Sequence, residues 1–158
     1  MPDQKCFAQQ FGLTTGCSSC KVKHSCSREF LKKTSLLRKL AKEKVEPGAA
    51  ARDQKGEFSW EMVELIRENG LFGVDFPEEH GGSGAGLLSL IIVCEELSKV
   101  DAATGMLPVA QELGSLPILL AANPEQKKKF LPALASGEKL AAFALTEASG
   151  GSDVAAFR

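Results

Sequence analysis

The residues most able to do chemistry lie near the end of the 158-residue sequence, between Phe143 and Asp153. A short apolar run there leads into Thr146, and a turn of very small residues follows. Because residues 149–151, Ser-Gly-Gly, carry almost no side chain, their backbone N–H groups can approach a flat ring or a phosphate closely. The stretch is therefore predicted to contact a planar or anionic ligand.

Several helices are predicted upstream of this stretch, because apolar residues recur there at helical spacing between short loops. Ser59, Asp101 and Asn123 are good N-caps, and Gln126 stands at the capping-box position after Asn123. The predicted helices run from Ser27 to Val45, Ser59 to Asn69, Leu87 to Val100, Ala102 to about Leu113, onward to Ala122, and Asn123 to Ser136.

Proline and glycine are predicted to interrupt this helical pattern at two places. Pro47 and Gly48 should end the first helix, since proline disfavours helical geometry in the residue before it. Gly114, Ser115 and Pro117 should break the helix in which they fall.

Two of these helices are predicted to have a strongly apolar side or surface. Trp60 and Ile66 lie on the apolar side of the second helix. Residues 87–100 are apolar on most sides, which is typical of a helix in the middle of a bundle, and Cys94 among them is predicted to be a core residue. The glycine-rich connection 71–86 lacks the spacing of a phosphate-binding loop and is interpreted as a tight structural loop.

The apolar run from Phe143 to Leu145 is predicted to be a buried strand. A lone strand is not stable by itself, so its partners are expected beyond residue 158. The sequence therefore predicts an all-α scaffold followed by a single strand.

Four cysteines, Cys6, Cys17, Cys20 and Cys26, fall in the first 26 residues. The pair Cys17-x-x-Cys20 is a common pair of metal ligands, to which Cys26 or His24 would add. The other spacings match no standard zinc or iron–sulfur motif, so reduced thiols in a poorly ordered leader are the competing interpretation. Disulfides are a third interpretation, and the lack of an evident secretory signal disfavours them.

The composition is that of a globular protein with an uneven charge distribution. Hydrophobic residues make up 44% of the chain and charged residues 25%, which suffices for a core. Residues 1–56 hold twelve Lys or Arg and five Asp or Glu, whereas residues 57–158 hold seven and fifteen. The basic part is expected to pack against the acidic part rather than to bind nucleic acid.

No membrane span is predicted. The most apolar run, Leu87 to Leu97, would be about 16 Å long as a helix, against roughly 30 Å of hydrocarbon in a bilayer. A reducing, cytoplasmic location is expected, with the mitochondrial matrix as the alternative.

The run from Phe143 to Asp153, Phe-Ala-Leu-Thr-Glu-Ala-Ser-Gly-Gly-Ser-Asp, resembles a signature of the acyl-CoA dehydrogenase family. Family members carry an aromatic-x-x-Thr-Glu-Pro-Gly-Ala-Gly-Ser-Asp run where an N-terminal helical domain meets a middle β-domain. Residues 71–82, 95–101 and 125–138 resemble further family runs in order and spacing. Here Ala-Ser-Gly-Gly replaces Pro-Gly-Ala-Gly, so the turn lacks the stiffening of proline.

The resemblance implies an FAD enzyme that forms an α,β-double bond in a fatty acyl-CoA thioester. A Glu base takes the α-proton while the β-hydrogen passes as hydride to flavin N5, and no residue of this chain matches that base. Ser152, with Gly151, would meet the flavin and the thioester end of the substrate. By position, the residues along the flavin ring would be Phe143, Ala144, Leu145 and Thr146.

The resemblance also divides the chain and implies its partners. Residues 1–26 form a Cys-rich leader, 27–138 the N-terminal helical domain, and 139–158 the incomplete beginning of the middle β-domain. The implied partners are an acyl-CoA substrate, an electron-transfer flavoprotein or similar acceptor, and further copies of the full-length chain as a homo-oligomer. This part alone is expected to be inactive.

Two alternative functions stay open at this point. One is a related flavoenzyme on the same scaffold, of the acyl-CoA oxidase or nitroalkane oxidase type. The other is a non-catalytic helical module with a Cys-rich metal-binding head.

Overall fold

The structure, a computed structural model, describes residues 33–157 and is built of α-helices joined by short loops. No strand is formed among these residues, so the prediction of an all-α fold is confirmed. A π-helical turn, Ala41–Val45, joins the first two helices, and short 3₁₀ turns lie at Leu71–Gly73, Glu78–His80 and Val154–Ala156. The helices of the described part are α1 (residues 33–40), α2 (Glu46–Lys55), α3 (Trp60–Glu68), α4 (Leu87–Ser98), α5 (Ala102–Ala121) and α6 (Pro124–Ala135).

The first helical segment continues past the predicted stop at Pro47 and Gly48, so that prediction is wrong. The π-helical turn Ala41–Val45 leads directly into α2, and Pro47 falls in the first turn of α2. A missing N–H costs little there, because first-turn N–H groups have no partner within their own helix. The segment ends instead at Gly56, whose φ of 63° is left-handed.

The three predicted N-caps are confirmed. Ser59 caps α3 through its hydroxyl, and Asp101 caps α5 through its carboxylate. At the start of α6, Asn123 and Gln126 each accept a hydrogen bond from the other's backbone N–H, with N···O distances of 2.9 and 3.0 Å. These caps depend on neighbouring residues alone, which is why the sequence predicts them.

Helix α5 is one helix of 20 residues, and the predicted break at residues 114–117 is wrong. Pro108 and Pro117 both lie inside it. An internal proline costs about 3 kcal/mol through a lost hydrogen bond and a steric clash. Packing against α4 on one side and α6 on the other offsets this cost, because a break would separate those contacts.

The core consists of two clusters. The larger joins the π-helical turn, α3, the 3₁₀ turn Leu71–Gly73 and α4 through Ala41, Val45, Met62, Val63, Ile66, Phe72, Val93 and Leu97. The smaller joins the loop before α4 to α6 through Phe76, Leu131, Leu134 and Ala135.

Trp60 is 65% exposed, which corrects the prediction that it is buried. As the first residue of α3 it stacks edge-on against Phe58, with ring centroids 5.0 Å apart, instead of entering the core. Ile66, two turns later on the same helix, is fully buried as predicted.

Residues 71–86 form the predicted tight loop. Backbone hydrogen bonds close it, from the Ser83 N–H to the Gly73 carbonyl at 2.8 Å and from the Ala85 N–H to the Val74 carbonyl at 3.0 Å. The loop thus satisfies its own backbone groups while it delivers the chain to α4.

Helix α4 is enclosed on one side only within the described part, which corrects the prediction of a fully central helix. Leu90, Val93 and Leu97 are buried, whereas Leu87 and Ile91 are exposed. The reason is that α5 and the π-helical turn cover only part of its surface.

Two ion pairs join the basic first part of the chain to the acidic remainder, as the charge distribution predicts. Arg38 of α1 donates two hydrogen bonds of 2.8 Å to Glu96 of α4. Arg52 of α2 donates to Asp101, the cap of α5, at 2.8 and 3.0 Å.

The structure contradicts the predicted buried strand at Phe143 to Leu145. The segment is neither helix nor strand, and residues 143–149 are all exposed. A strand needs a neighbour to receive its ladder hydrogen bonds, and residues 33–157 offer no such neighbour.

Candidate functional site

The small-residue turn forms between Glu147 and Gly150. The N–H of Glu147 donates to the carbonyl of Gly150 at 3.0 Å, and the N–H of Gly150 donates to the carbonyl of Glu147 at 3.1 Å. This reciprocal pair closes a tight turn although the turn contains no proline.

The turn brings Thr146 and Gly151 together. A Cβ built on Gly151 would lie 2.7 Å from Thr146 Oγ1, so that a larger residue there would force the Thr146 side chain to shift. Backbone therefore passes directly over the Thr146 side chain, and Ser152 follows on the exposed surface. The predicted site residues after Leu145 thus lie within one small loop.

The apolar residues before the turn are open to solvent. Phe143 is 46% exposed and Leu145 is 41% exposed, and Ala144 between them is exposed as well. Large exposed apolar side chains can contact the face of a flat ring, and a neighbouring turn of small residues can offer its backbone groups to the polar edge of that ring. The segment can therefore supply one wall of such a site.

Gln111 of α5 holds the backbone that leads into this segment. Its Nε2 donates to the carbonyls of Leu134 at 2.7 Å and Lys139 at 2.9 Å. Its Oε1 accepts from the N–H of Ala141 at 2.9 Å. The side chain is 1% exposed, so these hydrogen bonds are shielded from water.

Gly114, one turn further along α5, lets the same segment come close. A Cβ at this position would lie 2.7 Å from the Cβ of Ala141 and 2.8 Å from the backbone nitrogen of Ala142. Gly114 therefore serves close packing, although the sequence suggests a helix break there.

Sequence reasoning missed Gln111 because Glu112 beside it is also polar. The sequence does carry one signal, because Gln111 is a polar residue on the same face of α5 as Thr104, Pro108 and Ser115. In the structure these residues are all buried. A buried Gln needs partners, and backbone groups of the following connection are natural candidates.

An apolar groove of about 370 Å³ runs between α4 and α5. Its lining includes Leu87, Leu90, Ile91, Cys94, Val109 and Glu112. Cys94, predicted to be a core residue, is only partly buried and faces this groove. The lining is suited to an aliphatic chain.

Burial makes the titratable groups around the groove hard to ionise. It raises the pKa of the Cys94 thiol to about 11, and it raises the pKa of Asp75. Burial and the nearby Asp75 carboxylate together raise the pKa of Glu112. The common cause is the low polarity of their surroundings.

Residues 33–157 contain no group of three or more His, Cys, Asp or Glu side chains arranged to hold a metal ion. The cysteines at positions 6, 17, 20 and 26, on which the metal hypothesis depends, lie outside this part. Among the same residues, no helix is both long and apolar enough to cross a membrane.

Comparison with known proteins shows the family of this chain. The family model for the acyl-CoA dehydrogenase N-terminal domain matches residues 28–138, which is more than half of the chain. The chain belongs to the acyl-CoA dehydrogenase family.

Individual relatives agree with this assignment. An acyl-CoA dehydrogenase of Bacillus subtilis is 38% identical over 133 residues, which are 84% of this chain and 35% of that protein. A chain in the structure of the electron transferring flavoprotein of Acidaminococcus fermentans is 37% identical with a TM-score of 0.73, over 78% of this chain and 33% of that one. An acyl-CoA dehydrogenase of Bacillus anthracis in complex with FAD is 37% identical with a TM-score of 0.64, over 80% and 22% of the two chains.

The chain spans about a third of the length of the curated relatives it matches. The part matched by the family model, residues 28–138, contains the helical bundle.

Proposed function

We propose that this chain is the N-terminal part of an FAD-dependent acyl-CoA dehydrogenase, which removes hydrogen from the α and β carbons of an acyl-CoA thioester. The observation that carries the proposal is the exposed turn in which Gly151 lies against Thr146, at the end of a bundle of this family. When bound, FAD supplies the acceptor for the β-hydrogen, which leaves the substrate as hydride and reaches flavin N5.

The residues present fit one wall of a flavin site. Phe143, Ala144 and Leu145 present an exposed apolar surface for the ring. Gly151 adds no side chain, so a ring can approach the backbone there. The fit is partial, because a flavin is larger than the surface that this one segment offers.

Thr146 and Ser152 would act as fixed donors. The hydroxyl of Thr146 would donate a hydrogen bond to the polar edge of the flavin, and Ser152, with Gly151, would meet the flavin and the thioester end of the substrate. Donors held in place before reaction stabilise the negative charge that the flavin gains. We assign the catalytic base to no residue of this chain.

The apolar groove between α4 and α5 supports a substrate with a hydrocarbon chain, because its lining is largely apolar.

We propose residues 27–138 as the helical domain and 139–158 as the beginning of a β-domain. The proposed partners are acyl-CoA, an electron-transfer flavoprotein or similar acceptor, and further copies of the full-length chain. The proposed location is the cytoplasm, with the mitochondrial matrix as the alternative.

The proposal is tested by adding FAD to the isotope-labelled chain and following its backbone amides by NMR. We expect weak binding that shifts the amides of residues 144–152, and we expect no stoichiometric flavin in the purified chain. Thr146→Val should raise the FAD concentration for half-maximal shift about tenfold, which corresponds to one lost hydrogen bond of about 1.4 kcal/mol. Ser149→Ala, in the same turn, is the matched control and should leave that concentration unchanged.

Two results would count against this assignment. If FAD shifts none of these amides, the segment does not contact flavin. If the purified chain carries stoichiometric yellow flavin, the segment is not merely one wall of the site.

A further inference from the structure

We infer that Gln111 is a positioning residue, whose buried amide sets where the segment 143–152 leaves the helical bundle. The inference rests on the proposed function, since it assumes that this segment contacts the flavin. Gln111 would act through backbone groups and would touch neither cofactor nor substrate.

The side-chain amide of Gln111 forms hydrogen bonds through both of its N–H donors and through its oxygen. A glutamine amide has two donors, and here they reach the carbonyls of Leu134 and Lys139. Its oxygen receives the N–H of Ala141. The side chain of Gln111 thus binds three backbone groups within residues 134–141. This stretch leads from the end of α6 toward the candidate site.

Two contacts reinforce this attachment. Gly114 allows residues 141 and 142 to lie directly on α5. Gly137, with a left-handed φ of 75°, turns the chain where a Cβ would strike the ring of Phe72 in the core. The connection between α6 and Ala142 is therefore packed closely against the helices of the bundle.

The segment beyond Ala142 contrasts with this connection. Residues 143–149 are exposed, so little burial holds them in place. The turn fixes its own shape through Glu147 and Gly150, but that pair does not fix its location relative to the bundle. Ala141, whose N–H is bonded to Gln111, lies two residues before this segment and therefore helps to set where the segment lies.

The test replaces Gln111 by Met, which keeps the length of the side chain and removes its amide. In Gln111→Met, amide hydrogen exchange at Ala141 should rise about tenfold, because its acceptor is lost. The amide shifts of residues 143–152 should change, and the FAD concentration for half-maximal shift should rise about tenfold. Gln126→Met is the matched control: it removes the hydrogen bond from the Asn123 N–H at the start of α6. It should leave Ala141 exchange and the FAD concentration within about twofold of wild type and the shifts of residues 143–152 unchanged.

Gln111→Glu is a second variant. It tests whether Gln111 positions the segment even if the Met variant does not fold. Its carboxylate keeps an acceptor for Ala141 but cannot donate to Leu134 or Lys139. Protonation restores one donor, so the shifts of residues 143–152 should return toward the wild-type pattern as pH falls. A merely destabilised protein would move away from that pattern in acid.

The inference is overturned if the folded Met variant matches wild type in Ala141 exchange and in the shifts of residues 143–152. It is also overturned if the Glu variant shows no return toward the wild-type pattern as pH falls from alkaline to acidic values, a range chosen because burial raises the pKa of a glutamate. If wild-type chain shows no response to FAD, the proposed function fails, while Ala141 exchange and the segment shifts still decide whether Gln111 positions the segment.

Discussion

Glu96 illustrates how a single residue can hold distant parts of this bundle together. Its side chain is 4% exposed, and both carboxylate oxygens are satisfied by Arg38 from α1, with Lys99 adding a bond of 2.9 Å. A buried carboxylate is costly unless it is paired, so the pair fixes how α1 and α4 meet.

This arrangement makes stability depend on pH. The hydrogen bonds from Arg38 are the main reason that the pKa of Glu96 falls from 4.5 to about 2. Because the folded-state pKa lies below the unfolded one, Glu96 contributes stability that is complete above about pH 4.5 and is lost as pH falls toward 2. Urea unfolding between pH 6 and pH 3 should show wild type losing stability that Glu96→Gln does not lose. Parallel curves for the two proteins would contradict this role.

At the same scale, the sequence predicts residues that act on near neighbours and misses residues that act at a distance. Ser59 and Asn123 are recognisable because a cap and its partner lie within three residues. Gln111 bonds to residues 23 to 30 positions away, so no local pattern reveals which groups it binds. Trp60 shows the converse error, because apolar character alone does not place a side chain in the core.

At the scale of elements, the packing of the final connection against α5 depends on Gly114. Alanine normally stabilises a helix relative to glycine by roughly 0.5–1 kcal/mol. Here the added Cβ would meet the Cβ of Ala141 and the backbone of Ala142, neither of which can rotate away. Gly114→Ala should therefore lower the free energy of unfolding by about 1–3 kcal/mol in urea denaturation.

Gly48→Ala is the control for this prediction. Its Cβ would meet Nη1 at the end of the Arg52 side chain, which is more adaptable than backbone although its other nitrogens bond to Asp101. We expect a smaller loss there than at Gly114. Equal losses at both positions would show that backbone contact with residues 141 and 142 is not the cause.

The start of α6 depends on its capping box. Asn123→Ala removes the acceptor for the Gln126 N–H and should cost about 1 kcal/mol, while Asn123→Gly should cost only a few tenths. Thermal unfolding of the two variants measures the difference. If the alanine variant is as stable as wild type, the box contributes nothing.

The helix boundaries show why prediction from sequence is incomplete at this scale. Proline at 47, 108 and 117 suggests stops, yet the described helices continue through or begin at all three. Local propensity argues against proline inside a helix, but packing across α5 involves many residues and outweighs it. The extent of α5 is thus decided by α4 and α6, which no local window contains.

At the scale of the whole molecule, the described part is a helical bundle, and the segment proposed to contact the flavin lies on its surface. The all-α fold and the family follow from sequence runs in their order, and both are confirmed. Burial of Phe143 to Leu145 could not be predicted correctly, because a strand is defined by a partner that residues 33–157 do not contain. Leu87 and Ile91 are likewise exposed because no element within residues 33–157 covers them.

The most direct test of the account joins this chain to the remaining part of a relative. Residues 28–158 would replace the matching part of the Bacillus subtilis acyl-CoA dehydrogenase, which is 38% identical over the aligned region. The account predicts a chimera that carries stoichiometric FAD, whose visible absorbance falls when an acyl-CoA thioester is added. A folded chimera that lacks flavin, or whose flavin no acyl-CoA reduces, would contradict it.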